Sequence, residues 1–330
     1  MKSIFRRNLN AALLALCGAT SPFACAAEAA PDVKPQLQLH PAEQASAAAQ
    51  VQLLGAARAG NRLVVVGDHG VVLLSDDDGK TYRQAKSVAA DVTLTSVSFA
   101  DAHNGWAVGH WGVILRTRDG GETWTLQRSD IAVDQPLFSA YFKDANEGWA
   151  VGLWSLMLHT TDGGATWTTV KLPPPPGAKK ADRNLYALFA DAKGTLYVAC
   201  EQGRVMRSTD SGATWAYAET GYPGSFWTGV ALRDGTVLVG GLRGTIYRSA
   251  DGGATWQASK TRYKSSVTGL LQVGDKRIVA SSLDGVSLTS DDDGASFTGK
   301  QREDRVALTA VVAAPGGQPV YLSTSGVAKP

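Results

Sequence analysis

At 330 residues the chain is long enough for two average domains or one closed repeat ring, and its 19% of charged residues argues against disorder. The formal charge of +2 becomes 29 − 30 = −1 once the basic leader residues Lys2, Arg6 and Arg7 are removed, which takes away the main support for nucleic-acid binding. Of the three cysteines only Cys200 lies beyond the leader, so an oxidising compartment finds no pair to bridge.

Residues 1–26 read as a secretion signal. Lys2, Arg6 and Arg7 form a basic start, Ala11 to Ala19 an apolar stretch, and Ala24-Cys25-Ala26 a small-residue cleavage site. Neither Cys17 nor Cys25 follows a lipobox, and the general secretory route fits better than twin-arginine export. The expectation is an exported, periplasmic protein, in a thylakoid-lumen-like compartment if the source is photosynthetic. No later stretch has the roughly 18 uninterrupted apolar residues of a membrane span. Residues 27–50 form an N-terminal segment, within which Pro41 to Ala49 suits a short helix or linker.

From residue 51 onward one pattern recurs. Ser/Thr-x-Asp-x-Gly-x-Thr/Ser followed by an aromatic residue appears six times, with its aspartates at Asp77, Asp119, Asp162, Asp210, Asp251 and Asp292. The spacings of 42, 43, 48, 41 and 41 residues match one four-stranded propeller blade and exceed a leucine-rich or ankyrin unit. Within each copy the carboxylate and the hydroxyl accept hydrogen bonds from the turn's own N–H groups, glycine supplies positive φ, and the aromatic buries its ring between sheets. This is the Asp-box hairpin, a folding device.

Blade two shows the unit plainly, with strands predicted over Thr95 to Ala100, Gly105 to Gly109, Val113 to Thr117 and Thr123 to Gln127. Blade three repeats it from Phe138, and further blades start near Val51, Tyr186, Trp227 and Val267. A last strand pair, near Leu308 to Ala313 and Val320 to Ser323, has no Asp box. Closing the ring by adding Val33 to His40 to that sheet would remove its exposed edge. The expected fold is all-β: a seven-bladed β-propeller of four-stranded blades over residues 51–330, with six blades as the fallback. The long spacing is explained by Pro173 to Lys180, whose four prolines place it on a loop.

Two strings, Asp101 to Gly109 and Asp144 to Gly152, both end in Gly-Trp-Ala-Val-Gly and run on towards an Asp box. In this combination the chain resembles the photosystem II stability/assembly factor family of propellers. The resemblance covers most of residues 50 to 327 and implies a non-enzymatic propeller that assists assembly of membrane protein complexes. Tyr82 and Phe297 replace tryptophan in the first and sixth boxes, and the seventh blade lacks a box.

Asp boxes occupy the face opposite the turns between second and third strands, and those turns with the central funnel are the usual ligand surface of a propeller. The predicted funnel rim is Trp111, Trp154, Tyr186, Trp227, His110 and Arg243, an aromatic set suited to a hydrophobic segment of a partner or to a sugar. Blade-to-blade packing is the other reading of these rings. His69 and His110 sit at equivalent tips beside Asp68, but no ligand spacing supports a metal, and no cofactor is expected. The acidic runs Asp76-Asp77-Asp78 and Asp291-Asp292-Asp293 lack a calcium loop's terminal Glu.

Three residues before successive box aspartates stand Arg116, Arg207 and Arg248, which read either as a basic track for acidic partner segments or as inter-blade pairs. Lys260 to Lys264 and Lys300 to Arg305 add basic loops. A sialidase-like hydrolase would need an arginine cluster, a tyrosine nucleophile with its glutamate, and an acid aspartate. Tyr186, Tyr222 and Tyr263 offer the tyrosine, Glu201 is the one funnel-side acid in register with them, and no coherent acid/base pair emerges. The reading is a monomeric, non-catalytic propeller binding a protein partner in a membrane-associated complex or transporter. Carbohydrate binding or hydrolysis is the alternative.

Overall fold

The computed structural model describes residues 38–328. The predicted leader and the Val33 to Leu37 part of the proposed closing strand lie outside these residues. Seven sheets follow one another along the chain, each built on an antiparallel meander from an inner to an outer strand. Their inner strands are Leu53–Ala59, Leu94–Phe99, Leu137–Phe142, Leu185–Ala190, Phe226–Ala231, Val267–Gln272 and Leu308–Ala313. Each inner strand packs against those of its two neighbours, and the first meets the seventh, so the ring is closed. This is a seven-bladed β-propeller.

The second strands are the most buried. Gly105–Gly109 and Gly148–Gly152, the two Gly-Trp-Ala-Val-Gly strings, are buried at every residue. Continuous apolar runs of this kind are expected where both faces of a strand meet another sheet. Trp106 stacks on Phe142 of the next blade with ring centroids 3.5 Å apart, and its indole N–H donates to the Gly163 carbonyl at 3.1 Å. The motif tryptophan is therefore a bolt between blades two and three.

All six Asp boxes close in the same way. In the first, Asp77 Oδ1 accepts from the Ser75 hydroxyl and the Thr81 N–H, Oδ2 accepts from the Thr81 hydroxyl at 2.6 Å, and Gly79 N–H donates to Ser75 Oγ. Donors crowding the carboxylate, the Thr hydroxyl foremost and then its backbone N–H, hold Asp77, Asp162 and Asp210 down to about 2.

Blade two gains a fifth strand, because Ser87–Val88 pairs in parallel with Thr123 and Trp124. Blade seven has three strands among the described residues: Leu308–Ala313, Pro319–Ser323 and Gly326–Val327. The described end of the proposed closing segment lies elsewhere. Gln38 to His40 belong to no strand, the His40 carbonyl accepts from Asp91, and Ala42 N–H donates to Val88 on the edge of blade two. Ala48 and Val51 then pack with Val71, Leu73, Leu322 and Val327, which places the N-terminal segment over the junction of blades one and seven. Gly326, at φ +97°, permits this approach, since a Cβ there would lie 2.1 Å from the Ala49 carbonyl oxygen. Between Pro41 and Ala49 the backbone is mostly irregular, with a single short helical turn over Ala48–Gln50. The proline segment is a loop, as read from sequence, between the outer strand of blade three and the inner strand of blade four.

Candidate functional site

The end of the ring opposite the Asp boxes is built from six tight turns of one design. The turn residues His69, Trp111, Trp154, Gln202, Arg243 and Asp284 all have left-handed backbone, with φ between 53° and 59°. In five of them a positive-φ glycine follows, giving the two-residue turn that matches strand twist. The first residue of each tip donates its N–H to the chain just before its own inner strand, as Asp68 does to Gln52, His110 to Thr93, Leu153 to Pro136 and Leu242 to Ser225. One rigid backbone thus presents six different side chains. A bulky residue in left-handed geometry costs about 1–2 kcal/mol, so tryptophan at two of these points is strain retained against the local preference for Asn, Asp or Gly.

Blade three departs from the design. Ser155 (φ 58°) stands where the other tips carry Gly70, Gly112, Gly203, Gly244 and Gly285. Its N–H and hydroxyl both donate to the Arg183 carbonyl, at 2.7 and 3.1 Å, on the loop that carries the proline insertion. Trp154 projects from this tip 58% exposed, and its backbone N–H donates to Asn184 Oδ1 at 3.1 Å. Asn184 in turn donates from Nδ2 to the Tyr186 hydroxyl at 3.4 Å and from its backbone to Glu201 at 3.2 Å. Burial is the main force raising the Tyr186 hydroxyl's pKa.

Beneath the tips every inner strand carries a bulge at its second residue. The seven bulge residues are Leu54, Thr95, Phe138, Tyr186, Trp227, Thr268 and Thr309. The three threonines stitch the ring, each hydroxyl donating to the first inner-strand carbonyl of the next blade: Thr95 to Leu137 at 2.7 Å, Thr268 to Leu308 at 2.8 Å, and Thr309 to Leu53 at 2.5 Å. Phe138, Tyr186 and Trp227 replace the stitch on three consecutive blades with half-buried rings, the first two stacked with centroids 5.6 Å apart.

The predicted rim therefore divides. Trp154, Tyr186 and Trp227 lie on one arc of the mouth with Phe138 and Asn184. Trp111 is half-buried against the core between blades one and two, which is the packing reading for that ring. His110 and Arg243 are exposed tips, and the Arg243 N–H donates to Ser266 Oγ at 3.0 Å. Ser155, the one tip without glycine in its last position, was the signal visible in the sequence.

The basic track does not survive the geometry. Arg116, 8% exposed, donates to the Gly163 carbonyl at 2.8 Å and lies over the Trp106 ring, so it faces the next blade. Arg248 donates to the Asp293 carbonyl at 2.8 Å, and half-buried Arg207 runs along the Gly252-Gly253 turn. Arg116 and Arg248 thus link blades, as the other reading held, but through main-chain carbonyls and not neighbouring acids; desolvation by burial lowers the pKa of Arg116. Among the described residues no three His, Cys, Asp or Glu side chains cluster as metal ligands. The Tyr222 and Tyr263 hydroxyls donate to the carbonyls of Leu242 and Gly299 at 2.7 and 2.5 Å.

Residues 84–226, from the outer strand of blade one to the start of blade five, match the family model described as photosynthesis system II assembly factor YCF48. Two solved structures are similar throughout the ring. One, YCF48 bound to D1 peptide, has a TM-score of 0.70 at 17% identity, over 89% of this chain and 97% of that one. The chain thus resembles the assembly-factor family over residues 84–226 and shares the seven-bladed propeller fold over the ring. The other, YCF48 from Cyanidioschyzon merolae, has a TM-score of 0.67 at 15% identity, over 84% of this chain and 95% of that one. None of the curated proteins matches by sequence. The matched segment contains Phe138, Trp154, Asn184 and Tyr186, most of the arc.

Proposed function

We propose that this protein is an exported, monomeric, non-catalytic scaffold that binds a segment of a partner protein at the mouth of its ring and thereby assists assembly or support of a membrane protein complex. The observation that carries the reading is the mouth itself, where one strained backbone turn is repeated six times with different side chains. A fold maintains such turns when what they display matters more than local stability. The similar propeller solved with a D1 peptide supports a peptide segment as the kind of ligand.

The test is affinity capture by the exported chain from crosslinked native membranes, beside a Trp154→Ala variant whose melting curve is unchanged. Enrichment of the subunits of one membrane complex by the wild type, reduced at least threefold by the variant, is the expected result. Retention of glycans on an array without any captured membrane protein would move the assignment to carbohydrate recognition.

A further inference from the structure

The seven bulge positions form a ring one residue below the tips, and their chemistry is split. Blades six, seven and two carry Thr268, Thr309 and Thr95, whose hydroxyls are committed to neighbouring carbonyls, blade one carries Leu54, and blades three to five carry Phe138, Tyr186 and Trp227. We propose that this aromatic arc, roofed by Trp154, is a docking groove for an extended, uncharged polypeptide segment that presents aromatic or branched aliphatic side chains at alternate positions. The proposal rests on the protein-binding reading and names the class of ligand.

Four features select that occupant. Alternate side chains of an extended strand repeat every ~6.6 Å, close to the 5.6 Å between the stacked Phe138 and Tyr186 rings. The rings sit below the tips, so a narrow chain reaches them where a flat bilayer would meet Trp154 alone. The polar groups at this level are already engaged, with the stitching threonines bonded to carbonyls and the Tyr186 hydroxyl to Asn184, which leaves little for a sugar's hydroxyls. The charged tip residues bordering the arc are Glu201 and Arg243, of opposite sign, so the local field favours neither an acidic nor a basic ligand. The Asn184 bond to the Trp154 backbone fixes the tip, and a rigid aromatic is ordered on binding at low entropic cost.

The experiment uses three fluorescein-labelled Gly/Ser nonapeptides whose alternate positions carry Phe and Trp, Leu, or Glu, titrated by anisotropy against the exported chain. The aromatic peptide should bind tightest, Leu more weakly and Glu least. Tyr186→Leu and Trp227→Leu, which keep apolar bulk, should each weaken the aromatic peptide at least tenfold with unchanged melting curves, while Lys80→Ala and Arg118→Ala, exposed on the opposite Asp-box face, leave it within twofold. Preference for the Glu peptide, no binding of any peptide, or equal binding by the arc variants would overturn the proposal. So would arc-dependent flotation on phosphatidylcholine/phosphatidylglycerol vesicles in place of peptide binding. Membrane-partner capture in parallel separates the two readings. Capture that persists in the arc variants sinks the groove and leaves the scaffold standing, whereas arc-dependent peptide binding without any captured partner sinks the scaffold and leaves the groove.

Discussion

The two faces of the ring are built from the same strands by opposite rules. On the Asp-box face the side chains recur and consume one another: each carboxylate is filled by its own turn, and Arg116 and Arg248 reach across to main-chain carbonyls of the next blade. Surface charge on this face is paired between blades as well, as in the Arg62, Asp76, Arg83 and Glu122 network that joins blades one and two. On the mouth face the backbone recurs while the side chains differ, and Trp154 is left exposed in a strained turn. Repetition of side chains marks the scaffold, and repetition of backbone under changing side chains marks the display.

The largest expected break in that contrast is Trp106→Ala. Loss of a fully buried ring stacked between blades should cost about 3–5 kcal/mol in urea melts, and loss of ligand binding should track the unfolded fraction with no separate effect on affinity. Next, Arg116→Gln should destabilise by about 1–3 kcal/mol through the lost bond to Gly163 and the weakened contact with Trp106, yet leave partner capture by the folded fraction unchanged. A drop in capture without a drop in stability would restore the arginine to the binding surface.

Acid titration separates the faces in another way. Carboxylates held near 2 in the fold, against about 3.9 in an unfolded chain, contribute stability that is complete above about pH 4 and is lost as pH falls towards 2. Melting temperature should therefore fall steeply between these values, and an Asp210→Asn variant should show a shallower slope. The smallest effect has the opposite sign: Trp154→Gly relieves left-handed strain and should raise stability by about 1 kcal/mol while weakening peptide binding. A variant that gains neither stability nor loses binding would remove the argument from strain.

The Asp boxes were legible because their chemistry is complete within eight consecutive residues. Ser75, Asp77, Gly79 and Thr81 find one another by local geometry, so counting them yields six blades and their strand order, and the boxless strand pair near Leu308 and Val320 adds the seventh. The rim was legible only as a set of register positions. Trp111 and Trp154 occupy the same turn with the same φ, yet one packs on the blade one–two core and the other stands in solvent, because the neighbouring loops differ. The arginines were likewise placed correctly on successive blades, but whether a guanidinium faces solvent or the next sheet depends on contacts more than 40 residues away.

By itself the sequence determined the unit: a hairpin closed by its own Asp, Ser/Thr and Gly, an aromatic bolt, and a repeat whose length requires a four-stranded blade. Those interactions are short in sequence, and each copy satisfies them alone. Ring closure decided the rest. Only when seven inner strands stand side by side do the bulge residues become a ring, do three threonines spend their hydroxyls on neighbours, and do Phe138, Tyr186 and Trp227 become one surface. Such a surface is a relation between blades, and no single repeat contains the contacts that define it.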